Sequence, residues 1–143
     1  MTNVALVAAK LAVMQEHVRR LTERRPKAVD DLRADTLLQD AIALSVLVVV
    51  QEAMDIALHI ASDEGWELAS TYRDAFVVLA RHGVIADDLA ASLGGAAQLR
   101  NRIAHGYATV DVERLWIELP RGIASFGEFG RAVASFLQNG GTP

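Results

Sequence analysis

An all-α bundle is the fold class the sequence predicts, and three observations predict it. Apolar residues recur in steps of three and four along several segments. Nowhere does the chain show the two-residue alternation of a half-buried strand, an internal repeat or a low-complexity tract. Of its 143 residues 52% are hydrophobic but only 6% aromatic, so the interior must be mostly Ala, Val, Leu and Ile, and alanine gives up no side-chain entropy in a helix. The expected architecture is an antiparallel bundle of five helices, or six, in a single domain over residues 1–143, with 139–143 as a fraying tail.

The first helix follows from Val4, Val7, Leu11, Met14, Val18 and Leu21, one apolar stripe, with His17 on the outer side. Arg24 and Arg25 suit its last turn and Pro26 its stop. Asp35 or Thr36 opens a second helix running to about Ser62, whose apolar middle marks it as central. A third runs from about Glu67 to His82 with Leu68, Tyr72, Phe76 and Leu79 on one face, and Gly83 provides a left-handed cap. The fourth begins near Asp87 or Asp88 and ends at Gly106. Gly94 and Gly95 inside it call for either a kink or the close approach of another element. Asp111 then caps a short helix to Leu119, residues 120–122 interrupt, and a last helix spans 123–137.

Several function classes are excluded at this level. Without cysteine there is no disulfide, thiolate metal site or cysteine nucleophile, and a reducing cytoplasm is the natural location. The first residues lack the basic start of a signal peptide and are broken by Lys10. Residues 41–50 are nearly all apolar, but Gln51, Glu52, Asp55 and His59 cut the run to about half of the roughly twenty residues a membrane span needs. A buried core helix is expected, and no membrane association. The formal charge of −4 argues against coating nucleic acid nonspecifically, and no DNA partner is expected. No dinucleotide, P-loop or zinc-protease motif is present.

The chemistry concentrates in Arg100-Asn101-Arg102-Ile103-Ala104-His105-Gly106-Tyr107. Histidine titrates near neutrality and moves protons in both directions, and arginine's planar fork matches phosphate oxygens. The pair suits RNA cleavage, because RNA carries its own nucleophile in the 2′-OH. On an ideal helix, however, Arg100 and Tyr107 differ by about 20° while His105 lies about 140° from Arg100. The three converge only if the helix ends at Gly106 or a second copy of the chain contributes.

This segment, with QEAMDIALHIAS, TYRDAFVVLARHGVIADDLA and YATVDVERLW in the same order, resembles the R-x4-H-x-Y family of HEPN-domain proteins, specifically the HepT-like toxins, over roughly residues 28–137. The resemblance implies a HEPN-like helical homodimer with its cleft at the dimer interface. It implies a metal-independent endoribonuclease without cofactor, the toxin of a type VII toxin–antitoxin pair. Arg100 then corresponds to the phosphate-binding arginine, His105 to the catalytic histidine, and Tyr107 to a tyrosine that an MntA-type nucleotidyltransferase antitoxin AMPylates to silence the toxin. Gly94-Gly95 and Gly106 depart from the residues usual in the family. A non-catalytic HEPN-like module that binds nucleotide or scaffolds a nucleotidyltransferase is the alternative.

Among neighbouring residues, Asp74 is either a support of the cleft or part of a surface ion pair. Asn101 either orients His105, contacts RNA or is solvated, and Arg102 belongs to the cleft or to the surface. His59, His82 and His17 are read as structural: no third ligand joins Asp55 and His59 at helical spacing, His82 beside Gly83 is a dipole partner at a helix end, and His17 lies on the outer side of the first helix. Trp66 and Trp116 are read as packing anchors.

Overall fold

The computed structural model describes residues 1–106 and 111–140. Among them are six α-helices and no strand: α1 (Val4–Arg24), α2 (Val29–Arg33), α3 (Thr36–Asp63), α4 (Tyr72–Arg81), α5 (Asp87–His105) and α6 (Val112–Gln138). The all-α expectation holds.

Caps set most of the boundaries. The side chains of Asn3, Asp35, Thr71 and Asp111 each accept a backbone N–H of the helix that follows, as N-cap residues do. The third helix starts later than its periodicity suggested. Ser70 and Thr71 bind Asp74 locally and begin the helix at Tyr72, a competition with helix hydrogen bonding that these residue types favour. Glu67 lies before the helix, tied to Arg81 and His82, and Leu68 is 87% exposed rather than part of the apolar face. Gly83 takes the left-handed conformation, φ 77°, and Val84 and Ile85 are buried behind it.

Two further departures concern α2 and α6. The short α2 has no periodic signal of its own. The expected break at residues 120–122 is absent, and α6 runs unbroken through Pro120. Proline has no N–H to give the carbonyl of Trp116 four residues earlier. Arg25 Nε donates to that carbonyl at 3.0 Å instead. The Arg25 guanidinium lies 4.1 Å over the Trp116 ring, and Trp116 Nε1 donates to the Pro26 carbonyl at 2.8 Å. The end of α1 thus supplies the partner that the proline removes.

The central helix is α3, packed against α1, α2, α4, α5 and α6. It is long and apolar enough by composition to cross a membrane. Its residues Ile42, Val46, Val49, Ala53, Ile56 and Ile60 are instead buried in the core of the bundle. α1 runs antiparallel to it: Met1 and Asn3 bond Asp63, Lys10 bonds Asp55, and His17 Nδ1 meets Ser45 Oγ at 3.0 Å. His17 is therefore half-buried against α3, not on the outer side. Phe76 and Phe129 meet edge-to-face at 5.8 Å in the interior. α5 lies against α4 on one side and α6 on the other, where Ser92 Oγ and Ser125 Oγ are 2.8 Å apart. That sandwich positions the motif.

Candidate active site

Arg100 to His105 of the motif form the C-terminal end of α5. Helix periodicity points them in different directions. Ile103 is buried and anchors the segment to the core. Arg100 turns inward, half-buried, and crosses to α3. There its Nη2 donates to Gln51 Oε1 at 3.0 Å, and its Nη1 donates to Asn101 Oδ1 at 3.3 Å. Its Nε is buried with no hydrogen-bond partner among the described residues. Gln51 Nε2 donates in turn to Asp55 Oδ1 at 3.1 Å, and Lys10 Nζ donates to Asp55 Oδ2 at 3.3 Å. Arg100 is therefore held by two neutral amide oxygens. Neither cancels its charge as a bidentate carboxylate would.

Gln51 is a residue the sequence reading passed over. Its signal was present: Gln51, Glu52 and Asp55 interrupt an otherwise apolar core helix, and buried polar groups are tolerated there only when partnered. The interruption served only to exclude a membrane span, and the partner, 49 positions away, is not visible in a linear pattern.

His105 is the last residue of α5 and is exposed. Gly106 ends the helix as expected, its N–H bonding the Arg102 carbonyl at 3.1 Å. Its φ of −169° is extended backbone that any residue adopts. Among the described residues no hydrogen bond joins Arg100 to His105, and Tyr107 lies outside them. Asn101 is exposed and joins Arg100; Arg102 is exposed on the opposite flank. There it lines a groove of about 270 Å³ between α5 and α6 together with Arg114, Arg121 and Glu118.

Asp74 sits in the first turn of α4. It accepts from Ser70 Oγ at 2.6 Å, and its N–H bonds Thr71 Oγ1 at 3.1 Å. The Ser70 hydroxyl holds its carboxyl below the ordinary range. Both hydrogen-bond partners are capping residues, not members of the motif.

Gly94 resolves the expectation of a kink or a close approach in favour of the approach. A Cβ there would stand 2.9 Å from Cγ and 3.3 Å from Nε of Arg73, whose side chain crosses α5 at this point. Gly95 faces open space. His82 caps α4, stacks on Trp66 at 4.2 Å and contacts Glu67 Oε2 at 2.8 Å. That contact, with help from Arg81, holds the Glu67 carboxyl down to about 2.

Comparison with known proteins bears on the family and the fold. Residues 14–133 match the family model described as Ribonuclease HepT-like. The tRNA nuclease HepT of Aphanizomenon flos-aquae is 22% identical over 139 residues, 96% of this chain and 95% of that protein. The mRNA nuclease HepT of Shewanella oneidensis is 23% identical over 124 residues, 87% of this chain and 92% of that protein. Among solved structures, the tri-AMPylated Shewanella oneidensis HEPN toxin, in complex with MNT antitoxin, superposes with a TM-score of 0.83 at 21% identity. The match covers 94% of this chain and 99% of that one. With Arg100 and His105 carried on α5 and the match spanning the helices from the middle of α1 nearly to the end of α6, the chain belongs to the ribonuclease HepT-like family.

Proposed function

We propose that this chain is the toxin of a toxin–antitoxin pair and a metal-independent endoribonuclease acting in the cytoplasm as a homodimer. The observation that carries the reading is the complete Arg100, His105, Tyr107 pattern inside a family match that extends over residues 14–133. Relatives named as tRNA and mRNA nucleases support RNA as the substrate class. A structural neighbour complexed with an MNT antitoxin supports a nucleotidyltransferase partner, and its tri-AMPylated state supports AMP transfer onto Tyr107 as the silencing step.

The reaction needs little beyond what these side chains offer. A histidine takes the proton of the 2′-OH, and the oxygen attacks the adjacent phosphorus. The bond to the 5′-oxygen breaks, and that oxygen takes up a proton, leaving a 2′,3′-cyclic phosphate and a 5′-hydroxyl. Arg100 binds the phosphate as charge develops on its oxygens. The neutral amide partners of Arg100 support this role, since its charge remains available to an anion.

The dimer follows from the separation of the two groups around α5, about 140° for five residues of helix. α3 offers a surface for the second copy. Leu37 and Leu44 are 80% and 59% exposed, spaced so that they share a face with Gln51, which holds Arg100. A two-fold pairing there brings one subunit's Arg100 toward the other's His105.

Incubating the purified chain with RNA in excess EDTA tests the reading. Cleavage that persists in EDTA and is lost in His105→Ala is the expected result. A His105→Ala protein that still cuts RNA contradicts the mechanism, and intact RNA with unmodified wild-type protein favours a non-catalytic module.

A further inference from the structure

We propose that the groove between the α3–α4 connection and α5 is a subsite for one unpaired nucleotide of the RNA next to the cleaved bond. This rests on the ribonuclease reading above and extends it to a place on the surface. The groove measures about 380 Å³, within the range of small-ligand sites. It is of a size for one nucleotide and too small for a duplex.

Its lining supplies the three kinds of contact a nucleotide needs. Tyr72 is 43% exposed and presents an aromatic side chain at the start of α4, the group on which unpaired bases stack. Arg73 brings a guanidinium whose carboxylate neighbour, Asp74, interacts with it through space while hydrogen-bonding Ser70. Gln98 and Asn101 bring side-chain amides, which both donate and accept and so suit base edges. Leu58 and Ala69 add apolar surface.

Two details tie this groove to the motif. Arg73 reaches it by passing closely over Gly94; a Cβ there would stand 2.9 Å from its Cγ, so any other residue pushes the stem aside. Asn101 both lines the groove and accepts a hydrogen bond from Arg100. A strand whose phosphate sits at Arg100 therefore enters the groove with its next nucleotide. With a net charge of −4, the chain has no general attraction for RNA, so local cationic sites such as Arg73 must provide it.

The test measures binding of a fully 2′-O-methylated, hence uncleavable, single-stranded RNA to the full chain by fluorescence anisotropy, beside cleavage of the unmodified RNA. Tyr72→Leu and Arg73→Gln should each weaken binding about tenfold, as expected for one lost stacked base or phosphate contact. Arg73→Gln should also lower the salt dependence by about one phosphate contact. Gly94→Ala, which displaces the Arg73 stem, should act like Arg73→Gln with an unchanged circular dichroism spectrum. Unaltered affinities in all three folded variants, with wild-type cleavage intact, overturn the subsite and leave the ribonuclease reading standing. Loss of association with the nucleotidyltransferase while RNA binding stays unchanged also overturns it, assigning the groove to the protein partner. A wild-type chain that neither binds nor cuts RNA overturns both.

Discussion

Arg100 is held from α3 by Gln51, and the nature of that contact determines what the guanidinium can still do. A neutral amide orients it and leaves its charge to the substrate, whereas a carboxylate at the same place would form a charge-assisted pair of roughly twice the strength. Gln51→Glu is therefore expected to lower RNA cleavage at least about tenfold with little change in melting temperature, because the new pair with Arg100 is offset by the lost hydrogen bond to Asp55 and repulsion from its carboxylate; a purely structural residue would not show that split. Single-turnover cleavage beside thermal unfolding measures it; full activity in a stable Gln51→Glu protein contradicts the account. Arg100 and His105 were legible in the sequence as chemistry-bearing residues, and the exposed placement of Asn101 and Arg102 left them where the sequence had left them. Gln51 was not legible as their partner, because a contact between α3 and α5 depends on how two helices pack rather than on either one's periodicity. Asp74 was open between a support of the cleft and a surface ion pair, and its hydrogen bonds are those of a helix cap.

At the scale of elements, local chemistry was readable wherever a cap residue stood before an apolar stripe, as at Asp35 and Asp111. It misled where two local rules competed. Apolar spacing favoured a helix from Glu67, but Ser70 and Thr71 placed the start at Tyr72. Replacing Thr71 with Ala should cost about 1 kcal/mol of stability by removing that cap, measurable by urea denaturation. Pro120 misled because its rescue comes from α1. Arg25 satisfies the carbonyl that the proline leaves open, so Arg25→Ala is expected to destabilise the fold by about 1–2 kcal/mol. Pro120→Ala restores the missing N–H, and the double variant should recover part of the loss. Additive effects in that double-mutant cycle would argue against the latch.

The whole molecule carries a pH dependence that its helix assignments do not show. His17 is held below its ordinary value of 6.5, chiefly by burial and then by Arg20, with Glu16 opposing and Arg24 adding to the shift. The folded state thus binds that proton less readily than the unfolded chain. Its stabilising effect is complete above 6.5 and declines as pH falls through 6.5 toward the folded value. Denaturation midpoints should drop between about pH 7.5 and 5.5, and His17→Gln should flatten that slope. Glu16 and Glu67, both held down to about 2 from 4.5, lose their stabilising effect only as pH falls from 4.5 toward 2, below that window. An equally steep dependence in His17→Gln would contradict the assignment.

Assembly belongs to the same scale. Arg100 faces α3 while His105 stands exposed at the end of α5, so the proposed chemistry requires two chains. The most direct measurement mixes two inactive subunits. Arg100→Ala and His105→Ala proteins, unfolded and refolded together, form mixed dimers in about half of the population, each with one of its two sites intact if the site is shared between subunits. The account predicts no RNA cleavage from either variant alone and about a quarter of wild-type activity from the mixture. A mixture as inactive as its components, with mixed dimers verified by mass, would place the site within one chain and contradict the account.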